Sequence, residues 1–95
     1  MSDEPIITRD VWEALADTPE EAENLRVRSM LMREITATIT RNGWSQRHAA
    51  TELGLTQPRT SDLVNGKLDK FSLDALVNIG AKLGLHLHLA PGLSA

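Results

Sequence analysis

Positions 45–67 read SQRHAATELGLTQPRTSDLVNGK, and this stretch restricts the fold more than any other part of the chain. Ser45 can cap a helix over residues 46–53, which Gly54 ends. Thr56 can cap a second over residues 57–64, which Asn65 and Gly66 end. Pro58 falls in the second helix's first turn, where a missing amide hydrogen removes no bond. Two short helices joined this tightly meet at a steep angle and need small residues where they touch; Ala49 and Ala50 supply them. Gly54 tolerates the left-handed backbone that the turn requires. Leu53, Leu55 and Leu63 are apolar anchors for a core, which leaves Gln57, Pro58, Arg59, Ser61 and Asp62 on the outer face of the second helix. A helix fits the DNA major groove, and Gln and Arg match adenine and guanine edges bidentately, so that face has the chemistry of base reading.

The flanks predict two more helices and a different tail. Thr18-Pro19-Glu20-Glu21 combines a cap, a proline at the first helical position and a capping-box glutamate, so a helix starts there and runs to about Asn42. Leu25, Met32, Ile35 and Ile39 mark its buried face, with Arg26, Arg33 and Arg41 largely off it. Residues 67–70 read as a loop. Ser72 caps the last helix, Phe71 can staple onto Leu76, and Leu73, Leu76, Val77, Gly80 and Leu83 form its apolar stripe up to Gly84. Leu85-His86-Leu87-His88-Leu89 then alternates strictly, the period of a strand with one apolar face. A lone strand is unstable. The simplest remedy is the same strand of a second subunit, paired antiparallel about a two-fold axis; the alternative is a tail that packs its leucines on the helices. Near the start, residues 10–16 read as a short helical turn with Trp12 and Leu15 on one side.

Charge is polarised along the chain. The net value of -3 argues against a nucleic-acid partner until it is divided. Residues 1–24 hold eight acids (Asp3, Glu4, Asp10, Glu13, Asp17, Glu20, Glu21 and Glu23) against Arg9 alone. Residues 25–70 hold eight bases against four acids. An acidic head therefore precedes a basic body, which suits either a solvated, solubilising arm or a head that meets a basic partner while the body meets something anionic. The absence of cysteine excludes disulfides, thiolate metal sites and cysteine nucleophiles. No apolar run is long enough to span a membrane, and the acidic start lacks the pattern of a secretory signal, so the expected location is the cytoplasm. Three units are expected: residues 1–17 as an acidic, partly mobile arm, residues 18–84 as the helical domain, and residues 85–95 as strand and tail.

Gln46, Ala50, Gly54, Thr56-Gln57, Leu63 and Asn65-Gly66-Lys67 together resemble the helix-turn-helix of phage-repressor and Cro-like proteins, the Xre type. The resemblance spans about residues 26–83. It implies an all-α, lambda-repressor-like bundle, here with a short C-terminal strand that pairs across a homodimer. One departure is Thr60, where the family usually has Val or Ile; its hydroxyl must bond back to a helix carbonyl. The resemblance implies that Gln57, Pro58, Arg59 and Asp62 face bases. Arg59 would meet either a guanine edge or a phosphate, and Asp62 would either accept from a cytosine amino group or orient Arg59 through an i, i+3 pair. It implies that Gln46 bonds a phosphate and braces Gln57, and that Thr56, Asn65, Lys67, Arg47 and Arg41 hold phosphates. The wider order of acidic head, long helix, motif and alternating tail is similar to the antitoxins of HigA-like toxin–antitoxin pairs, whose toxins are basic RelE-like ribonucleases. That implies a sequence-specific repressor of its own operon, binding a pseudo-palindromic operator and a toxin; the alternative is a stand-alone Xre-type regulator.

Other chemistries fit poorly. His86 and His88 would share one strand face, but two ligands are too few for a metal site within one chain. Ser45 with His48, or Ser61 with Asp62, lies on short helices with no glycine elbow or oxyanion arrangement. No catalytic role and no cofactor are expected.

Overall fold

The computed structural model describes residues 15–92. Four helices lie in this range: α1 Pro19–Arg41, α2 Gln46–Leu53, α3 Gln57–Val64 and α4 Leu73–Ala81, with a 3-10 turn at Leu68–Lys70 between α3 and α4. The helical turn expected over residues 10–16 falls almost wholly outside the described residues, as does most of the expected arm.

Each helix starts on a side chain that the sequence supplies for the purpose. The hydroxyls of Thr18, Ser45, Thr56 and Ser72 accept from the amides of Glu21, His48, Arg59 and Ala75. These bonds satisfy donors that the helix itself cannot. Glu21 departs from the simple capping box: its carboxylate accepts from the Asp17 amide at 2.9 Å, one residue before the cap. The helices also end alike. At the α2–α3 turn, Leu55 N donates to Ala50 O at 2.9 Å and Gly54 N to Thr51 O at 3.3 Å, with Gly54 at φ 68°. This paired pattern is the Schellman motif, and its left-handed residue favours glycine. It recurs where Trp44 N reaches Ile39 O, where Lys67 N reaches Asp62 O, and where Leu85 N reaches Gly80 O.

One core joins all the elements. Leu31, Met32, Ile35 and Ile39 of α1 meet Ala49 and Leu53 of α2, Leu63 of α3, Phe71 of the linker, and Leu76 and Ile79 of α4. Such burial stabilises by about 1.5–3 kcal/mol per large side chain. The expected face of α1 is present, although Leu25 is only half-buried while Ala22 and Leu31 are buried. The stripe of α4 needs correction: Val77 is exposed and Ile79 is buried in its place, and the helix ends at Ala81 before a turn to Gly84. Thr60 is fully buried and its hydroxyl donates back to Thr56 O at 2.8 Å, as its shape and polarity require.

Residues 85–92 form no strand in the single chain. Leu85 packs on the core, but Leu87 and Leu89 do not; Leu89 is 97% exposed. The expected strand over residues 85–89 is thus not formed, in keeping with the instability of a lone strand.

Candidate nucleic-acid interface

The outer surface of α2, α3 and the turn between them gathers most of the residues singled out by sequence. Gln46, Arg47, Thr56, Gln57, Pro58, Asn65 and Lys67 are exposed, whereas Arg59, Ser61 and Asp62 are half-buried. The α2–α3 turn sets this arrangement. It seals Ala49, Ala50 and Leu53 against the core on one side and Thr60 and Leu63 on the other, so the remaining faces of both helices turn outward.

Several of these side chains already have a structural role. Thr56 Oγ1 accepts from the Arg59 amide at 3.2 Å, which leaves its hydroxyl proton to donate outward. Asn65 Nδ2 donates to Ser61 Oγ at 3.1 Å, across one turn of α3 and its C-cap. Gln46 and Gln57 stand apart, with no hydrogen bond between them among the described residues. The expected brace from Gln46 to Gln57 is therefore not made in the free chain, where each side chain is exposed.

Arg59 is placed differently from the sequence-based expectation. Its guanidinium carbon lies 4.2 Å from the centre of the Phe71 ring, and Nη1 donates to the Lys70 carbonyl at 3.1 Å. Stacking of a cation on an aromatic face and a bond to a carbonyl turn the side chain along the linker. The expected Arg59–Asp62 pair is accordingly absent: the guanidinium takes a stack and a carbonyl in place of the half-buried Asp62 carboxylate. Arg59 is the only base within α3, and Gln57 is that helix's exposed polar side chain.

Sequence reasoning missed Arg28. From the middle of α1 its Nη1 donates to Leu68 O and Phe71 O, both at 3.3 Å, while Nε donates to Asn24 Oδ1 at 2.6 Å. No local pattern carries this signal, since the partners lie about 40 residues apart. His48, on α2, stacks at a tilt on Trp44 with ring centres 5.1 Å apart and faces Glu52 at 3.3 Å. Elsewhere, Arg26 grips Glu23 through two bonds on the surface of α1; this holds the Glu23 carboxyl below its ordinary range and raises the Arg26 guanidinium.

Among the described residues, no group of three histidine or acidic side chains is placed to hold a metal ion, and no helix is long and apolar enough to cross a membrane. Residues 14–90 match the family described as a helix-turn-helix domain. No curated protein matches the chain.

Proposed function

The chain belongs to the helix-turn-helix domain family, and from that premise we propose that it is a sequence-specific transcriptional repressor that binds DNA as a homodimer. The observation that carries this reading is the capped, outward-facing polar surface of α3, with Gln57 and Pro58 free at its start and Lys67 just past its end. Gln57 is the group we assign to base reading, an adenine edge being its bidentate match, with Pro58, Ser61 and Asp62 shaping the surface around it. Gln46, Arg47, Thr56, Asn65 and Lys67 hold phosphates and set register. These contacts act on affinity for any sequence, whereas Gln57 acts on the choice of sequence.

Exposure of Leu87 and Leu89, on a segment with the strand period, favours pairing between two copies through residues 85–89. Two copies would then present two α3 helices about 34–36 Å apart to a pseudo-palindromic operator. The acidic head, with eight acids in residues 1–24, favours a second and basic protein partner. We assign the chain as the antitoxin of a HigA-like pair that represses its own operon.

The deciding experiment measures salt-dependent binding to the DNA upstream of the chain's own gene, against random DNA of equal length. A preference above about 10³-fold supports a specific repressor. Equal, weak and steeply salt-dependent binding to both overturns it. For the toxin, deletion of residues 1–17, the acidic arm ahead of α1, should abolish capture of a basic protein encoded beside it and spare DNA binding. Absence of such a neighbour would leave a stand-alone regulator.

A further inference from the structure

The linker between α3 and α4 is held by two arginines that reach it from different helices. Arg28 of α1 donates to the carbonyls of Leu68 and Phe71. Arg59 of α3 donates to the carbonyl of Lys70 and lies on the ring of Phe71, itself buried in the core. Between them the two guanidinium groups take three of the four carbonyls over residues 68–71. The same linker exposes Lys67 and Lys70, two cations next to the outer face of α3.

We infer that Arg28 and Arg59 are positioning residues: together they clamp the backbone of residues 68–71 and so fix where Lys67 and Lys70 leave the chain beside α3, where a phosphate backbone would pass. The consequence for DNA rests on the function proposed above; the clamp itself does not. A short irregular linker is otherwise a weakly ordered part of a small domain, and two loose lysines would lose side-chain and backbone freedom on binding. Planar guanidinium groups suit this work, because each offers several donors in fixed directions and a face that stacks. The inference also changes the assignment of Arg59. Within this geometry it acts on affinity for all DNA through Lys67 and Lys70, not on base choice.

The test uses the full chain with Arg28→Met and Arg59→Met, which keep much of the aliphatic stem and remove the donors. In the free protein, amide exchange at Lys70 and Phe71 should quicken about tenfold, the size expected for one or two lost hydrogen bonds, while the Ile35 amide in α1 stays unchanged. On DNA, each variant should weaken binding to upstream and random sequence by the same factor with little change in salt slope, because Lys67 and Lys70 remain; a slope flatter by about 0.9 in Arg59→Met would make Arg59 a direct phosphate contact and overturn the inference. Unchanged linker exchange together with a lost preference in Arg59→Met overturns the inference and makes Arg59 a base reader. Should the variants unfold, the wild-type protein decides. The Arg59 Nε–H resonance should be shifted upfield by the Phe71 ring and remain so in the DNA complex; its return to the ordinary position on binding refutes the clamp. Wild-type protein that binds no DNA would overturn the proposed function, and linker exchange and the Arg59 shift in the free protein would still judge the clamp.

Discussion

Two glycine-to-alanine changes in this fold should have opposite signs. Gly80 lies inside α4 with ordinary helical backbone, where α4 packs on α1. A Cβ placed there would sit 3.6 Å from Leu85 Cβ, 3.8 Å from Leu31 Cδ2 and 3.9 Å from Ile35 Cδ1. These are normal van der Waals distances, so Gly80→Ala adds a buried methyl without displacing a neighbour. It also removes the extra freedom that glycine gives the unfolded chain, an effect of about 0.4–1 kcal/mol. Gly54 differs: its φ is 68°, and its Cβ would come within 3.0 Å of Lys82 Nζ. The lysine tip can swing away, but the left-handed backbone cannot be relieved inside the Schellman motif. Gly54→Ala should therefore destabilise by about 1–2 kcal/mol.

In a domain of this size each kcal/mol moves the melting temperature by about 4–8 °C. Thermal unfolding followed by helical circular dichroism should place Gly80→Ala above wild type and Gly54→Ala below it, with urea midpoints in the same order. The two variants make the same chemical change, so altered hydropathy cannot account for a difference in sign. A destabilised Gly80→Ala would refute the reasoning about the α1–α4 contact, since it would mean that the helices approach more closely than these distances allow.

Four further outcomes follow from the same geometry. Thr60→Val exchanges a buried hydroxyl for a methyl, and Thr56 O keeps its bond from the Thr60 amide; urea unfolding should find the variant between unchanged and about 1 kcal/mol more stable. Because Arg26 holds the Glu23 carboxyl below its ordinary range, the pair's small stabilisation is present above the unfolded carboxylate value of about 4.3 and fades as pH falls through the lower folded value. Melting of Glu23→Gln should accordingly trail wild type slightly at neutral pH and low salt, and match it in acid. Arg47→Ala and Lys67→Ala should each flatten the slope of log affinity against log salt by about 0.9 without changing sequence preference, as read by competition titration. Leu87→Glu should shift sedimentation toward the monomer and weaken operator binding more than half-site binding.

The sequence announced the helix starts and the α2–α3 turn because they are local events. A hydroxyl three residues before an amide, or a glycine just past a helix, needs no knowledge of the rest of the chain. All four described starts and the left-handed Gly54 were legible on those terms. The face of α4 was less so: Val77 and Ile79 are both apolar, and only the position of α1 decides that Ile79 goes inside. The tail shows a related limit: its period of two is that of a strand, yet residues 85–92 form none in the single chain, because pairing is not a local property.

Arg59 marks the point where local reading stops for a side chain of the candidate site. Its place on the outer side of α3 is a property of the helix, and the sequence predicts that correctly. Where its guanidinium rests is a competition between water, Asp62, and the Phe71 ring with the Lys70 carbonyl. The last pair wins because Phe71 must be buried to fill the core, which brings one ring face and the carbonyl beside it within reach of α3. Arg28 is recruited by the same event, since burying Phe71 draws the linker carbonyls against α1, where an unpaired carbonyl would be costly. A core residue thus determines which of the surface cations remain free for an anionic partner. Among the described residues the exposed cations with no hydrogen bond or ion pair are Arg33, Arg47, Lys67, Lys70 and Lys82; of these Arg47 lies on α2 and Lys67 and Lys70 in the linker after α3, and a phosphate footprint should follow those three more closely than Arg59.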